Sequence, residues 1–167
     1  MTSPRQINGG GDEWFTPRKF ILAACDVMGG IDLDPASNAI AAQWIPAAQY
    51  FTREDDGLSR EWFGRVWLNP PYSQPLISQF LTKLADGFRA GVVMEAIALT
   101  HNNTDSRWWQ ATAAEATAIC FTRGRISFEK QDGAKRSPTQ GQTFFYFGNN
   151  SERFADIFQS IGIILKR

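Results

Sequence analysis

The stretch "VWLNPPYSQP", residues 66–75, decides how the rest of the chain is read. Three apolar residues, Val66-Trp67-Leu68, run straight into Asn69-Pro70-Pro71-Tyr72. Each proline lacks a backbone N–H, so two in succession exclude a helix interior or a central strand. A buried strand over about 65–68 therefore stops abruptly, and its end carries an amide, a rigid turn and an aromatic ring.

Working outward, Pro75 predicts the start of a helix that runs to about Phe88. Upstream, "TPRKFILAACDVMGG" has Thr16 as N-cap, Pro17 at the first helical position and Gly29-Gly30 as the stop. That pattern predicts a helix over about 17–28. "IDLDPAS" gives a short strand at 31–34 halted by Pro35, and residues 38–45 read as a helical turn or two. "GVVMEAIAL" is an unbroken apolar run, so a strand buried on both faces. Thr104 reads as the cap of a helix reaching about Ala116. "TAICF", "GRISFEK" and "QTFFYFG" read as three further strands, with the polar, basic loop "KQDGAKRSPTQG" between the last two. A helix at about 151–159 and the strand "GIILK" finish the chain. Strands alternating with helices predict an α/β fold: a mostly parallel, doubly wound sheet with antiparallel closing strands. Ligands in such sheets sit at the carboxyl ends of strands, near the switch point of strand order. Two ends here are chemically unusual, "DLDPAS" and "LNPPY".

The 167 residues suit one domain with a real core. Residues 1–11 read as a flexible leader and 12–167 as the domain; "MTSPRQINGGGDEW" lacks the apolar core of a secretory signal. No window of about 18 apolar residues predicts a membrane span. Cys25 and Cys120 each lie in apolar surroundings and read as buried small hydrophobes in a reducing compartment. A single histidine, His101, and no paired cysteines leave no recognisable zinc site, so no metal is expected. GxSxG, the Walker A motif and GxGxxG are absent. Net charge is zero but uneven: residues 1–60 hold 8 acids and 5 bases, whereas 121–167 hold 4 acids and 8 bases. An acidic front and a basic back suit a protein whose later part faces a polyanion.

The chemistry at "LNPPY" follows from what its groups can accept. A planar exocyclic amine on a nucleobase is a poor nucleophile, because its lone pair is delocalised into the ring. Two acceptors pulling on its N–H bonds would favour the pyramidal, reactive form. The Asn69 side-chain oxygen and the Pro70 carbonyl are such acceptors, fixed dipoles rather than strong bases. Pro71 stiffens the turn, and Tyr72 offers a face on which a flipped-out base can stack. The string also matches an NPxY docking tag, but such a tag belongs in a disordered tail, and this one lies between a strand and a helix. At the other end, Asp32 and Asp34 could bind a hydroxyl or a cationic amine, and Pro35, Ala36 and Ser37 are small enough to let a ligand approach the backbone. "TREDDGL" adds Asp55 and Asp56.

Taken together, "EWFTP", "DLDPAS", "YFTREDDGL", "VWLNPPYS" and "FTRGRISF" resemble the phage-encoded DNA N-6-adenine methyltransferases of the Dam type, over about residues 12–147. The resemblance implies a Rossmann-like domain that transfers a methyl group from S-adenosylmethionine to adenine N6 in DNA, in the cytoplasm of a bacterial host. It implies Asn69, Pro70, Pro71 and Tyr72 as the catalytic loop. Trp14, Phe15, Thr16 and Pro17 match a segment packing on the cofactor, Asp34 to Ser37 the cofactor strand end, and Asp56 and Gly57 a loop near the cofactor adenine. Gly124, Arg125 and Phe128 match an element expected on the substrate side. The chain departs from many relatives in having DPAS where they carry a glycine-rich FxGxG, and it has no target-recognition domain of the usual size. Recognition would fall to Lys130, Lys135 and Arg136 and to segment 101–109, where His101 and Thr104 follow a strand end. Trp108-Trp109 reads as helix packing or as a stacking surface. The motif equally permits cytosine N4, an RNA base or a protein glutamine as acceptor, and a catalytically silent nucleic-acid-binding module would keep the same fold.

Overall fold

The computed structural model describes residues 15–129, 135–136 and 138–167. The chain runs α1 (Arg18–Met28), β1 (Ile31–Asp34), a 3₁₀ turn (Ala41–Gln43), β2 (Ala47–Tyr50), β3 (Gly64–Leu68), α2 (Leu76–Arg89), β4 (Val93–His101), α3 (Arg107–Glu115), β5 (Ala118–Thr122), β6 (Phe128–Glu129), β7 (Lys135–Arg136), β8 (Gln142–Phe147), α4 (Ser151–Phe158) and β9 (Gly162–Lys166). Seven strands form one sheet in the order β2-β1-β3-β4-β8-β5-β9, and β6 and β7 pair as a separate two-stranded ribbon.

Side-chain alternation builds two cores, one on each face. All six residues of β8 are buried. Phe145 and Phe147 enter the core under α2 and α3 with Val66, Leu68, Ala96 and Ala98. Phe144 and Tyr146 enter the core under α1 and α4 with Trp67, Ile97 and Leu99. This two-residue period is what a strand covered on both faces demands. In α1 the buried positions Phe20, Ile21, Ala24, Val27 and Met28 recur at helical spacing. The helix ends where Gly29 adopts φ 74°, a left-handed cap that donates its N–H to the Cys25 carbonyl. Cys120 is buried in the same core and Cys25 lies half-buried.

The α/β class stands, but the parallel share of the sheet is smaller than expected. The β2-β1-β3-β4 part is parallel. β8 then inserts antiparallel between β4 and β5, and β9 runs antiparallel to β5. "GRISFEK" is not a strand of this sheet: only Phe128–Glu129 pairs, and it pairs with Lys135–Arg136. The helix after β4 is capped by Ser106, whose hydroxyl accepts from the Trp109 N–H, and not by Thr104. Trp109 is buried and donates its indole N–H to Thr143 Oγ1, so this tryptophan belongs to packing. No helix among the described residues is long and apolar enough to cross a membrane.

Candidate active site

The strand order turns back between β1 and β3. From β1 the chain moves outward to β2; from β3 it moves the other way to β4. Neighbouring parallel strands whose connections leave in opposite directions open a crevice at their carboxyl ends. The two unusual strand ends flank that crevice: Asp34-Pro35-Ala36-Ser37 follows β1 and Asn69-Pro70-Pro71-Tyr72 follows β3.

Asn69 is held at both ends of its amide. Its Nδ2 donates to Thr16 Oγ1 at 3.2 Å, and its Oδ1 accepts from the Tyr72 hydroxyl at 2.7 Å. Thr16 is buried and does not cap α1; the cap position is Pro17, with no side-chain hydrogen bond. The hydroxyl that helix rules assign to capping is thus used to orient the amide. Tyr72 is half-buried, and its hydroxyl also reaches the Leu99 carbonyl at 3.5 Å. Burial pushes the Tyr72 phenol well above its ordinary range, so it stays a neutral donor. Its ring lies 4.2 Å from that of His101, tilted by 51°. His101 ends β4, which extends past the point where β3 stops. Burial holds the imidazole below its ordinary pKa, so the ring is neutral at pH 7.

The β1 side is organised by a buried carboxyl. Asp34 is 2 % exposed. Burial raises its pKa to about 7, against the opposing pull of the Ser37 hydroxyl and the Ala36 N–H. The Ala36 N–H donates to Asp34 Oδ1 at 3.3 Å. Ser37 Oγ is itself buried and makes no hydrogen bond of full geometry. The turn is tied to the end of β2, since the Ser37 N–H donates to the Phe51 carbonyl and the Phe51 N–H to the Asp34 carbonyl, each at 2.9 Å. Gly57 seats the acidic loop directly on this turn: a Cβ there would fall 2.0 Å from the Pro35 carbonyl oxygen. In that loop Asp55 is spent locally, accepting from the Thr52 N–H and hydroxyl at 2.8 Å. Asp56 is exposed, with φ 51°.

Asp32 lies elsewhere. Its two oxygens receive the Arg65 backbone N–H, Nε and Nη2 at 2.7–2.8 Å. Arg65 in turn donates to the Gly29 carbonyl at the end of α1. The pair clamps β1, β3 and α1 together below the crevice, and Asp32 is committed to it. On the far side of the edge, Gly124 and Arg125 are exposed. The Ile126 N–H donates to Gln142 Oε1 at 2.7 Å, which fastens this segment to β8. Phe128 packs onto the core under α1 and α4. Lys135 is exposed on β7, where Arg136 is its neighbour. Phe15 and Pro17 flank Thr16 beside the site; Trp14 and Lys130 lie outside the described residues.

Sequence reasoning missed Asn103. Its Oδ1 and the His101 Nδ1 are both buried without a hydrogen-bond partner in the turn after β4. The clustered polar string "HNNTD" was the available signal. Buried polar atoms left unpaired are costly, and their clustering at one edge marks a surface shaped for a polar ligand. Among the described residues no group of acidic, histidine and cysteine side chains is arranged to hold a metal.

A doubly covered α/β sheet with its ligand crevice at the switch point, and an Asn-Pro-Pro-Tyr strand terminus on one lip, defines the class. Within it the chain belongs to the DNA N-6-adenine-methyltransferase (Dam) family, whose model matches residues 5–154. It is 28% identical over 125 residues to a DNA N-6-adenine-methyltransferase of Escherichia phage T1. The match covers 73% of this chain and 49% of that relative, so the chain spans about half the relative's length. No solved structure gives a significant match.

Proposed function

We propose that this chain methylates the N6 amine of adenine in DNA, with S-adenosylmethionine as donor, on a Rossmann-like domain. The observation that carries the reading is the Asn69 amide, fixed by Thr16 and Tyr72 at the lip of the switch-point crevice. The family and the phage relative's name support the reaction class.

The β1 end fits the cofactor. The Asp34 carboxyl is desolvated there and the Ser37 hydroxyl is buried with no hydrogen bond of full geometry, a cost that a polar ligand would offset. Asp34, Pro35, Ala36, Ser37, Asp56 and Gly57 would hold it, with Phe15 to Pro17 and Asn69 closing the other wall. S-adenosylmethionine supplies an electrophilic methyl group on a sulfonium. Asn69 Oδ1 and the Pro70 carbonyl, which lies past the end of the β3 ladder, accept the two N–H bonds of the adenine amine and so keep its lone pair available. In accepting, Asn69 exchanges the Tyr72 hydroxyl for the substrate N–H. Tyr72, thus released, presents its ring to the base, with His101 behind it. His101 and the Gly124–Phe128 segment line the substrate side, and Lys135 and Arg136 lie beyond.

The test is mass spectrometry of digested nucleosides after unmethylated DNA is incubated with the protein and S-adenosylmethionine, with Asn69→Ala in parallel. N6-methyladenine from the parent and none from the variant is the expected result. N4-methylcytosine would keep the mechanism and change the acceptor. No modified base would reject the reading.

A further inference from the structure

Beside the catalytic edge, on the face covered by α1 and α4, lies a groove of about 1010 Å³. Its lining begins at Pro17 and includes Arg18 and Lys19 of α1, Arg123 and Arg125 from the turn after β5, and Lys135 of β7. One carboxylate, Asp26, also lines it. It lies two turns along α1 from Arg18, about 12 Å away at 1.5 Å per residue. Arg18, Lys19, Arg123 and Arg125 against one distal anion make this wall positive in a chain of zero net charge.

We propose that this groove seats the sugar–phosphate backbone of the DNA strand that flanks the target adenine. The inference rests on the reading of the site given above. Three observations carry it. The groove begins one residue along the chain from the catalytic lip: its lining starts at Pro17, and Thr16, the residue before it, holds the Asn69 amide. A base leaving the helix for Asn69 must bring its own backbone close to this position. The length between Arg18 and Asp26 matches three or four base-pair steps at about 3.4 Å each. The cations come from separate elements that line one groove: Arg18 and Lys19 from α1, Arg123 and Arg125 from the turn after β5, with Leu22, 46 % exposed, in the same lining. Long cationic stems over an exposed leucine suit a chain of sugars and phosphates better than a compact anion. The first turn of α1 adds the positive end of its helix dipole to the same wall. Phosphate contacts of this kind set register and orientation and leave sequence readout to the crevice.

The test is fluorescence anisotropy of a labelled DNA duplex at several salt concentrations, with the parent, Arg18→Gln/Arg123→Gln and, on the opposite face, Arg89→Gln. Calorimetry with S-adenosylmethionine serves as the folding control. The paired variant should bind at least about tenfold more weakly, and the slope of log affinity against log salt should shrink by roughly 1.8, near 0.9 per phosphate contact. Arg89→Gln should match the parent. A paired variant with unchanged slope, or a parent that binds no duplex at low salt, overturns the groove. So does tighter binding of an RNA duplex of the same sequence. The methylation reading is judged separately by the nucleoside assay. Methylation by the parent with no change of slope in the paired variant rejects the groove alone; a smaller slope in the paired variant of a parent that methylates nothing rejects methyl transfer alone.

Discussion

The two halves of the carboxyl edge are built in opposite ways. At the β1 end, one buried carboxyl, a Pro-Ala-Ser turn and an acidic loop are held by contacts among residues 34–57. At the β5 end, a basic wall is assembled from α1 and, about a hundred residues later in the chain, the turn after β5 and β7. The first half suits a small cationic donor and the second a polyanion. Asn69 stands between them, and on the proposed reading its amide is the group that both ligands would reach. On that reading, charge separation along one edge would let a protein of zero net charge bind ligands of opposite sign without either competing for the other's place.

The largest effect should come from the group that belongs to both halves. In the proposed mechanism Asn69→Ala removes an acceptor for the reacting amine, so methyl transfer should fall by about 1,000-fold. Cofactor affinity, held mainly from the β1 side with Asn69 only closing the opposite wall, should fall far less than turnover by calorimetry. A variant that loses cofactor affinity as severely as it loses turnover would break the division of labour.

What could be read in advance follows the same line. The Asn-Pro-Pro-Tyr terminus is local, and prolines after an apolar run admit few readings. β2 was missed because "AAQY" is an edge strand with mostly exposed side chains, and its short, alanine-rich run gives no two-residue period. "GRISFEK" reads as a strand, yet Ile126 is buried in the core while its N–H goes to the Gln142 side chain and not to a strand partner. Apolar runs predict buried strands but not their direction, so the insertion of β8 was invisible. Asp32 and Asp34 share one face of β1 by spacing alone. Only the register that sets Leu33 against Val66, with Arg65 beside it, commits Asp32 to an ion pair and leaves Asp34 at the crevice. The bond from Thr16 to Asn69 crosses 53 residues and has no local signature.

The next effect sharpens the β1 half. The folded-state pKa of Asp34, about 7, lies above its ordinary 3.8 because the carboxyl is desolvated. The folded protein therefore holds this proton more tightly than the unfolded chain. Stability should fall as pH rises from about 4 to about 7 and then level off, by up to about 4 kcal/mol. Asp34→Asn should lose that part of the slope in urea melts. If the cofactor pairs with the carboxylate, parent affinity should rise through pH 7 by about tenfold while Asp34→Asn stays flat. A parent affinity independent of pH would move the cofactor away from this carboxyl.

A comparable but less selective effect is expected at Gly57. Alanine there would press its Cβ against the Pro35 carbonyl, so either the acidic loop or the strand-end turn must move. The substitution should cost about 1–3 kcal/mol of stability and weaken cofactor binding several-fold. DNA affinity on the basic wall should be unaffected in the anisotropy assay. Equal losses of both ligands would mean that the two halves are mechanically coupled.

The smallest effect tests how the halves meet. An amide can present either its oxygen or its nitrogen to a ligand, and its neighbours decide which. Thr16 accepts from Nδ2 and Tyr72 donates to Oδ1, so the oxygen faces the position of Tyr72. A tyrosine hydroxyl can donate or accept, and so cannot fix the amide alone. The Thr16 hydroxyl carries its own proton and could donate to the oxygen of a reversed amide; in the structure it accepts from Nδ2. Thr16→Val keeps the branched shape and removes the hydroxyl, at a cost of about 1 kcal/mol for the lost bond. Turnover should fall about fivefold as a share of the amides turns its NH₂ toward the substrate amine, where it repels rather than accepts. Thr16→Ser should restore most of the rate. A merely structural role for Thr16 would lower stability without that rescue, whereas an orienting role ties the rescue to kcat and leaves both binding halves as they were.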